Sequence, residues 1–331
     1  MPNELIQRAN VIADEVLFPA AAATDAADIV PRSNLDLLAR EGFYGIASHE
    51  TAVVHGVMEA LAGGCLSTAF VWLQHVGPTR MAAAHPLGEE LRAGALRSGS
   101  AFAHLRRSGP PSLVATRHAN GWVLNGTAPW VTGWQRIDVL HVAAMRADDP
   151  SQLVWMLVDA VESESLIAQR LDLAAVNASS TVSLQFRSVR VPLERVTVEE
   201  PLETWTRRDS AGLRTNGSVA IGHASRTIRL LGNDAGSLER QLDLRRRGLD
   251  SAADVEAVTV ARAAAVELAV RAATALVARG GGTSITSGQT AQRLAREATF
   301  IVVQGQTLEI RAAQMALFTG RSADEAPSAV A

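Results

Sequence analysis

An α+β chain in three successive regions, helical, then β, then helical again, is predicted by three features of the sequence. Apolar residues recur at helical spacing up to about residue 98. β-Branched and aromatic residues then alternate with polar ones as far as Pro192, and alanine-rich helical periodicity returns from Leu213 onward. The regions are read as an N-terminal helical domain (1–98), a central β-barrel or sandwich (99–200) and a C-terminal four-helix bundle (201–321), followed by a disordered tail (322–331). There is no internal repeat and no regular alternation of strand and helix, which excludes a Rossmann fold.

The first helix follows from Leu5, Ala9, Ile12 and Val16, which share one stripe with charges between them. Ser33 and Asp36 have the spacing of a capping box for a helix through Ala39, and Gly42 is placed to end it. The apolar run from Val53 to Val76 reads as one buried helix. In the β region the pairs Asn120-Gly121 and Asn125-Gly126 are hairpin signals. Val182, Leu184 and Phe186 face one side of a strand, and Ser183, Gln185 and Arg187 face the other. The last region is read as three or four long helices interrupted near Arg247-Gly248 and at Gly280-Gly281-Gly282. Ala264, Leu268, Ala272 and Leu276 form a stripe of a packed bundle.

With 331 residues, 47% of them hydrophobic, the chain has material for a large buried core. The 31 basic and 34 acidic side chains nearly balance, so bulk charge favours neither nucleic acid nor an anionic membrane as partner. A small molecule or another protein is expected instead. Cys65 is the sole cysteine; no intrachain disulfide is possible, no Cys/His cluster offers a metal site, and a reducing cytoplasm is the expected compartment. Glu4, Arg8, Asp14 and Glu15 interrupt the first twenty residues, so no signal-peptide core is expected there.

Specific residues then make the chain resemble the acyl-CoA dehydrogenase superfamily over nearly its whole length. Gly281-Gly282, Arg293-Leu294-Ala295-Arg296-Glu297-Ala298 and Thr307 fall without a gap on the family's double glycine, Arg-Leu-Tyr-Arg-Asp-Ala and Glu-Gly-Thr sequence. Asn125 to Gly133 is similar to its Asn-Gly-x-Lys-x-Trp-Ile-Thr-Asn-Gly strand. The resemblance implies FAD bound between the β region and the C-terminal bundle. Trp130, Val131 and Thr132 would lie beside the flavin ring, a role that competes with that of a core tryptophan beside a strand threonine. Arg246 would bind the pyrophosphate or else cap a solvated basic helix end. Gly281 and Gly282 would let the backbone approach the cofactor, or form a plain turn. Gln306, Thr307 and Glu309 fall on the FAD-contacting segment, with Glu309 in place of glutamine.

The same register puts Gly305 where the family usually carries its catalytic glutamate, and its neighbours Gln304 and Gln306 are amides that cannot act as bases near neutral pH. The family's alternative base position, on an earlier helix, falls on Thr215, and the arginine that commonly follows it is Asn216. The flavin- and CoA-contacting loop corresponds to Ala103 to Pro111, which is shortened and lacks the acidic and glycine-rich elements. Its Arg106 and Arg107 either hold a phosphate or carboxylate of some ligand or cover a solvated hairpin. His104 and His75 remain as acid–base candidates or as satisfied structural histidines, with His75 and Thr215 expected at the substrate cavity.

Three activities fit these features. The first is an FAD-dependent oxidoreductase acting on a non-standard small-molecule substrate, with a thioester among the candidates. The second is a two-component flavin-dependent monooxygenase, and the third is a non-catalytic subunit paired with a catalytic homologue. The family's assembly implies a homotetramer, or a hetero-oligomer with a homologous subunit.

Overall fold

The computed structural model describes residues 2–107 and 109–320; the predicted tail lies outside the described residues. The chain begins with α1 (Pro2–Ile12) and continues through a π-helical turn (Ala13–Leu17) into α2 (Phe18–Asp25). The π-turn adds a residue to the helical repeat, so the buried stripe passes from Ala9 and Ile12 to Ala13 and Leu17. Val16, which a regular helix would bury, is exposed.

α3 (Arg32–Arg40) corrects the capping-box reading. Pro31 precedes the helix without a side-chain cap, Ser33 lies inside the first turn, and Asp36 is drawn to Arg97 at 2.5 Å. That charge-assisted contact between regions outweighs a local cap. Gly42 adopts φ +78° just past the helix end, as its position suggests. The apolar run from Val53 to Val76 is two helices, α4 (Thr51–Gly64) and α5 (Leu66–Leu73), because Cys65 takes extended angles between them. α6 (Val76–Met81) and α7 (Gly88–Ala93) complete the region.

Eight strands follow: β1 (Ser98–Ala101), β2 (Leu113–His118), β3 (Gly121–Val131), β4 (Val139–Arg146), β5 (Gln152–Asp159), β6 (Leu166–Arg170), β7 (Val182–Pro192) and β8 (Val196–Pro201). They form one mixed sheet in the order β6-β7-β3-β2-β4-β5-β8, with β1 also on β4. β1 and β2 both run parallel to β4, and the other pairs are antiparallel. Val182, Leu184 and Phe186 are buried and Gln185 and Arg187 exposed, the alternation expected of β7. His118 pairs with Gly121, so Ala119 and Asn120 make the β2–β3 turn. Asn125-Gly126 is not a turn. It lies within β3 at a register shift, where the Asn125 Oδ1 accepts the Ser188 N–H at 2.8 Å and a Cβ on Gly126 would meet the Ser112 carbonyl oxygen at 2.1 Å.

The remaining helices are α8 (Leu202–Ala211), α9 (Leu213–Leu231), α10 (Leu238–Ser251), α11 (Val255–Gly280), α12 (Thr290–Val303) and α13 (Leu308–Thr319). α10 runs straight through Arg247-Gly248, because Leu242 and Leu249 on either side of them are buried in the bundle. The break falls at Ala252 to Asp254 instead, where the Asp254 carboxylate caps the Ala257 N–H at 2.8 Å. Within the bundle, Arg293 and Glu297 form an ion pair of 2.7 Å, both almost fully buried, next to His223.

Residues from the N-terminal helices and from α9 to α13 share one hydrophobic core, whereas the sheet has its own. α4 and α9 approach most closely at two glycines. A Cβ on Gly222 would lie 2.1 Å from the Glu59 carbonyl oxygen, and one on Gly63 would lie 2.9 Å from the Gly222 carbonyl oxygen. Arg226 donates to the Gly63 carbonyl at 2.6 Å and pairs with Asp14, clamping the same crossing.

Two predictions follow from this packing. Gly222→Ala should push α4 and α9 apart and lower stability by about 1–3 kcal/mol, read as a fall in the denaturant midpoint; an unchanged midpoint would refute the close crossing. The second concerns His141 and His223, which are fully buried. Burial holds their pKa values down to about 3 and about 4, with nearby arginines contributing. The unfolded chain takes up these protons near pH 6.5 and the folded chain only near pH 4 or below, so acidification favours unfolding. Each group withdraws about 1.4 kcal/mol per pH unit below 6.5 until its folded pKa is reached. The Tm should therefore fall between pH 7 and pH 5, and His141→Gln should flatten that slope.

Candidate functional site

Gly305 sits in the turn between α12 and α13 with φ +56°, a left-handed conformation that glycine adopts without strain. A Cβ built on it would meet Arg262 Nη2 at 3.4 Å, Asn216 Nδ2 at 3.5 Å and Arg106 Nη1 at 3.6 Å. Three N–H donors therefore surround the position, brought from α11, from the start of α9 and from the 3₁₀ turn Ala103–Arg106. No carboxylate is among these nearest neighbours.

Arg262 is buried, 2% exposed, and donates to the carbonyl oxygens of Gly305 (3.0 Å) and Gln304. Burial, with Arg106 nearby, lowers its pKa to about 9. Arg106 is held by a two-pronged contact with Asp209 of α8, from Nε at 2.8 Å and Nη2 at 2.6 Å. That leaves Nη1 turned toward Gly305. Arg106 is thus not part of a solvated hairpin, and it stacks over Phe102 at 5.4 Å. Thr215 lies one residue before Asn216, and its hydroxyl is 3.2 Å from His55 Nε2. Burial lowers the His55 pKa to about 4.

The residues expected beside the flavin behave differently from one another. Trp130 is 52% exposed and has φ +60°, whereas Val131 is buried in the sheet core. The Thr132 hydroxyl is buried at 3.1 Å from that of Thr181, which continues to Ser179 at 2.8 Å. Gly281 ends α11 with φ +61°, and both it and Gly282 have open space where a side chain would project. Thr307 caps α13 by accepting the Ile310 N–H at 3.3 Å. Gln306 donates to the Gln314 side chain at 2.7 Å, and Glu309 is exposed.

Arg246 directs Nε to Glu59 at 2.9 Å and Nη1 to Asp243 at 3.3 Å, so an incoming phosphate would compete with two carboxylates. Its neighbour Arg245 instead lines a groove of about 560 Å³ between α10 and α11, with a buried Nε that has no partner.

His75 is 1% exposed and has both nitrogens engaged by backbone. Its Nδ1 accepts the Ser98 N–H at 2.9 Å, so Nε2 carries the proton and donates to the Leu91 carbonyl at 2.7 Å. It fastens α6 to β1 and leaves no nitrogen for a substrate. His104 is also buried, and its Nε2 donates to the Ala143 carbonyl at 3.0 Å. Its Nδ1 is then an acceptor without a partner, and burial keeps the ring uncharged by lowering its pKa to about 4.

The sequence did not point to Arg262, Asp209 or His55. Arg262 lies in a regular alanine-rich helix, where an arginine every few residues is ordinary. Its one signal is its place on the same helix as the buried stripe. Among the described residues no group of three or more His, Cys, Asp and Glu side chains could hold a metal, and no helix is long and apolar enough to cross a membrane.

No family model matches the chain. It is 24% identical over 216 residues to the human mitochondrial short-chain specific acyl-CoA dehydrogenase, a match of 58% of this chain and 52% of that protein, so it spans about half the length of this curated relative. Its structure superposes on butyryl-CoA dehydrogenase from Megasphaera elsdenii with a TM-score of 0.82, at 16% identity over 96% of this chain and 98% of that one. A glutaryl-CoA dehydrogenase from Mycobacterium smegmatis in complex with FADH2 gives 0.80, at 16% identity over 96% and 94%. The helical, β, helical order and these superpositions together give the chain the fold of the acyl-CoA dehydrogenase superfamily.

Proposed function

We propose that the chain is an FAD-dependent oxidoreductase of this superfamily that acts on a substrate other than a simple acyl-CoA. The observation that carries the reading is Trp130. A large ring is half in solvent, and its backbone is held in a conformation that costs a non-glycine residue about 1 kcal/mol. A flat aromatic cofactor against that ring accounts for both features. Gly281 and Gly282 have open space where side chains would project, which fits close approach of a cofactor to the backbone.

Bound flavin would accept a hydride equivalent from the substrate. The chain's own residues then determine which substrate. Around Gly305 they present N–H donors and no base, so removal of an acidic α-proton by a carboxylate at this position is not available. The named relatives act on butyryl- and glutaryl-thioesters, and a thioester is proposed here on that likeness. The exposed Leu308, Met315, Leu317 and Phe318 of α13 support burial against another copy or a homologous subunit.

A two-component monooxygenase is the second reading, favoured by His104. Its uncharged, unpartnered Nδ1 is an acceptor in the turn that packs on β3, and that chemistry requires no carboxylate at 305.

The purified chain should show bound-flavin absorbance, or a spectral shift on titration with FAD; a spectrum indifferent to FAD would sink the reading. Trp130→Gly should weaken FAD binding about tenfold through loss of ring contact, without lowering the Tm, since glycine relieves the φ +60° strain. The wild-type chain should not dehydrogenate butyryl-CoA. Oxygen-dependent product formation only when a flavin reductase is supplied would decide for the monooxygenase, and turnover only on co-expression with a homologue would decide for a non-catalytic subunit.

A further inference from the structure

Arg262 presents an electrostatic problem that the oxidoreductase reading leaves unsolved. It is 2% exposed, and among the described residues no carboxylate lies within ion-pair distance of it. Its guanidinium rests on two backbone carbonyls, which satisfy N–H groups but carry no net charge. A buried cation without a counter-ion is costly, and such arginines are normally paired. The nearest carboxylate in the cluster, Asp209, is already held by both prongs of Arg106. Arg106, Arg262 and Asp209 together therefore leave one positive charge.

The donors of this charge converge. Arg262 Nη2, Asn216 Nδ2 and Arg106 Nη1 are the three nearest atoms to the position a β-carbon on Gly305 would take, at 3.4, 3.5 and 3.6 Å. A ligand oxygen cannot occupy that position, which is a bond length from the Gly305 Cα; packed against the glycine it stands farther out, among the same three N–H donors, which bind an oxygen at about 2.9 Å. A neutral acyl chain offers nothing to these donors, and an anion satisfies all of them while supplying the missing charge.

We infer that the space over Gly305 is a carboxylate-binding site, and that the ligand of this chain carries a free carboxylate held by Arg106, Arg262 and Asn216. Combined with the proposed oxidation, on which the word substrate rests, this makes the substrate a dicarboxylic acyl group rather than a fatty one. The binding site itself stands on the donor geometry alone. The negative charge that the superfamily's glutamate would carry at this place is then supplied by the ligand.

The test is calorimetric titration of the full chain, as purified, with glutarate and with its neutral diamide, glutaramide. Glutarate should bind at least about tenfold more tightly than glutaramide. Asn216→Asp, which places a like charge in the site, should abolish that preference, and Asn216→Ala should reduce it; circular dichroism confirms that each variant is folded. Equal binding of the two compounds, no binding of either, or a preference that survives Asn216→Asp overturns the inference. A flavin spectrum of the same preparation separates the two proposals. Glutarate preference without flavin overturns only the oxidoreductase, and bound flavin without glutarate preference overturns only the carboxylate site.

Discussion

The close crossing of α4 and α9 at Gly63 and Gly222 is the constraint on which the remaining geometry depends. Because neither glycine has a Cβ, the two backbones meet at distances no side chain would permit. That contact joins the N-terminal helices to the bundle in one core and fixes the rotation of α9. The start of α9 then has a defined direction, with Thr215 against His55 of α4 and Asn216 against the turn at Gly305. Ion pairs reinforce the same junction: Glu59 of α4 receives Arg246 of α10, and Arg226 of α9 reaches both the Gly63 carbonyl and Asp14.

The second organising element is the break between α12 and α13. Gln304 and Gly305 leave the helix with carbonyl oxygens that no helical N–H satisfies. Arg262 of α11 takes both. A left-handed residue at 305 is required for that arrangement, and glycine meets the requirement. Glycine at 305 is thus tied to the backbone. A β-carbon there would lie in ordinary contact with three side-chain nitrogens from three different elements.

Much of the fold was legible in the sequence. The change from helix to strand near Ser98, the alternation in β7 and the glycine ends at Gly42 and Gly281 follow from local rules, and local rules predicted them. The readings that failed did so where a tertiary contact overrode a local preference. Asp36 left its cap for Arg97, α10 continued through Gly248 because its flanking leucines are buried, and a π-turn displaced Val16 from the stripe that spacing assigned it.

At the site, the sequence by itself determined that residue 305 carries no carboxylate and that Gln304, Gln306 and Thr215 cannot replace one, because those facts depend only on side-chain identity. Tertiary structure alone decided what surrounds the empty position. Arg106, Asn216 and Arg262 are up to 156 residues apart in the chain, counting from 106 to 262, and only the packing of the 3₁₀ turn, α9 and α11 brings their nitrogens to one point. Tertiary structure also separated His75, locked between two backbone partners, from His104, which keeps a free acceptor. Side-chain chemistry is encoded residue by residue, whereas a binding site is a property of distances between elements, and those are set by the core that the elements share.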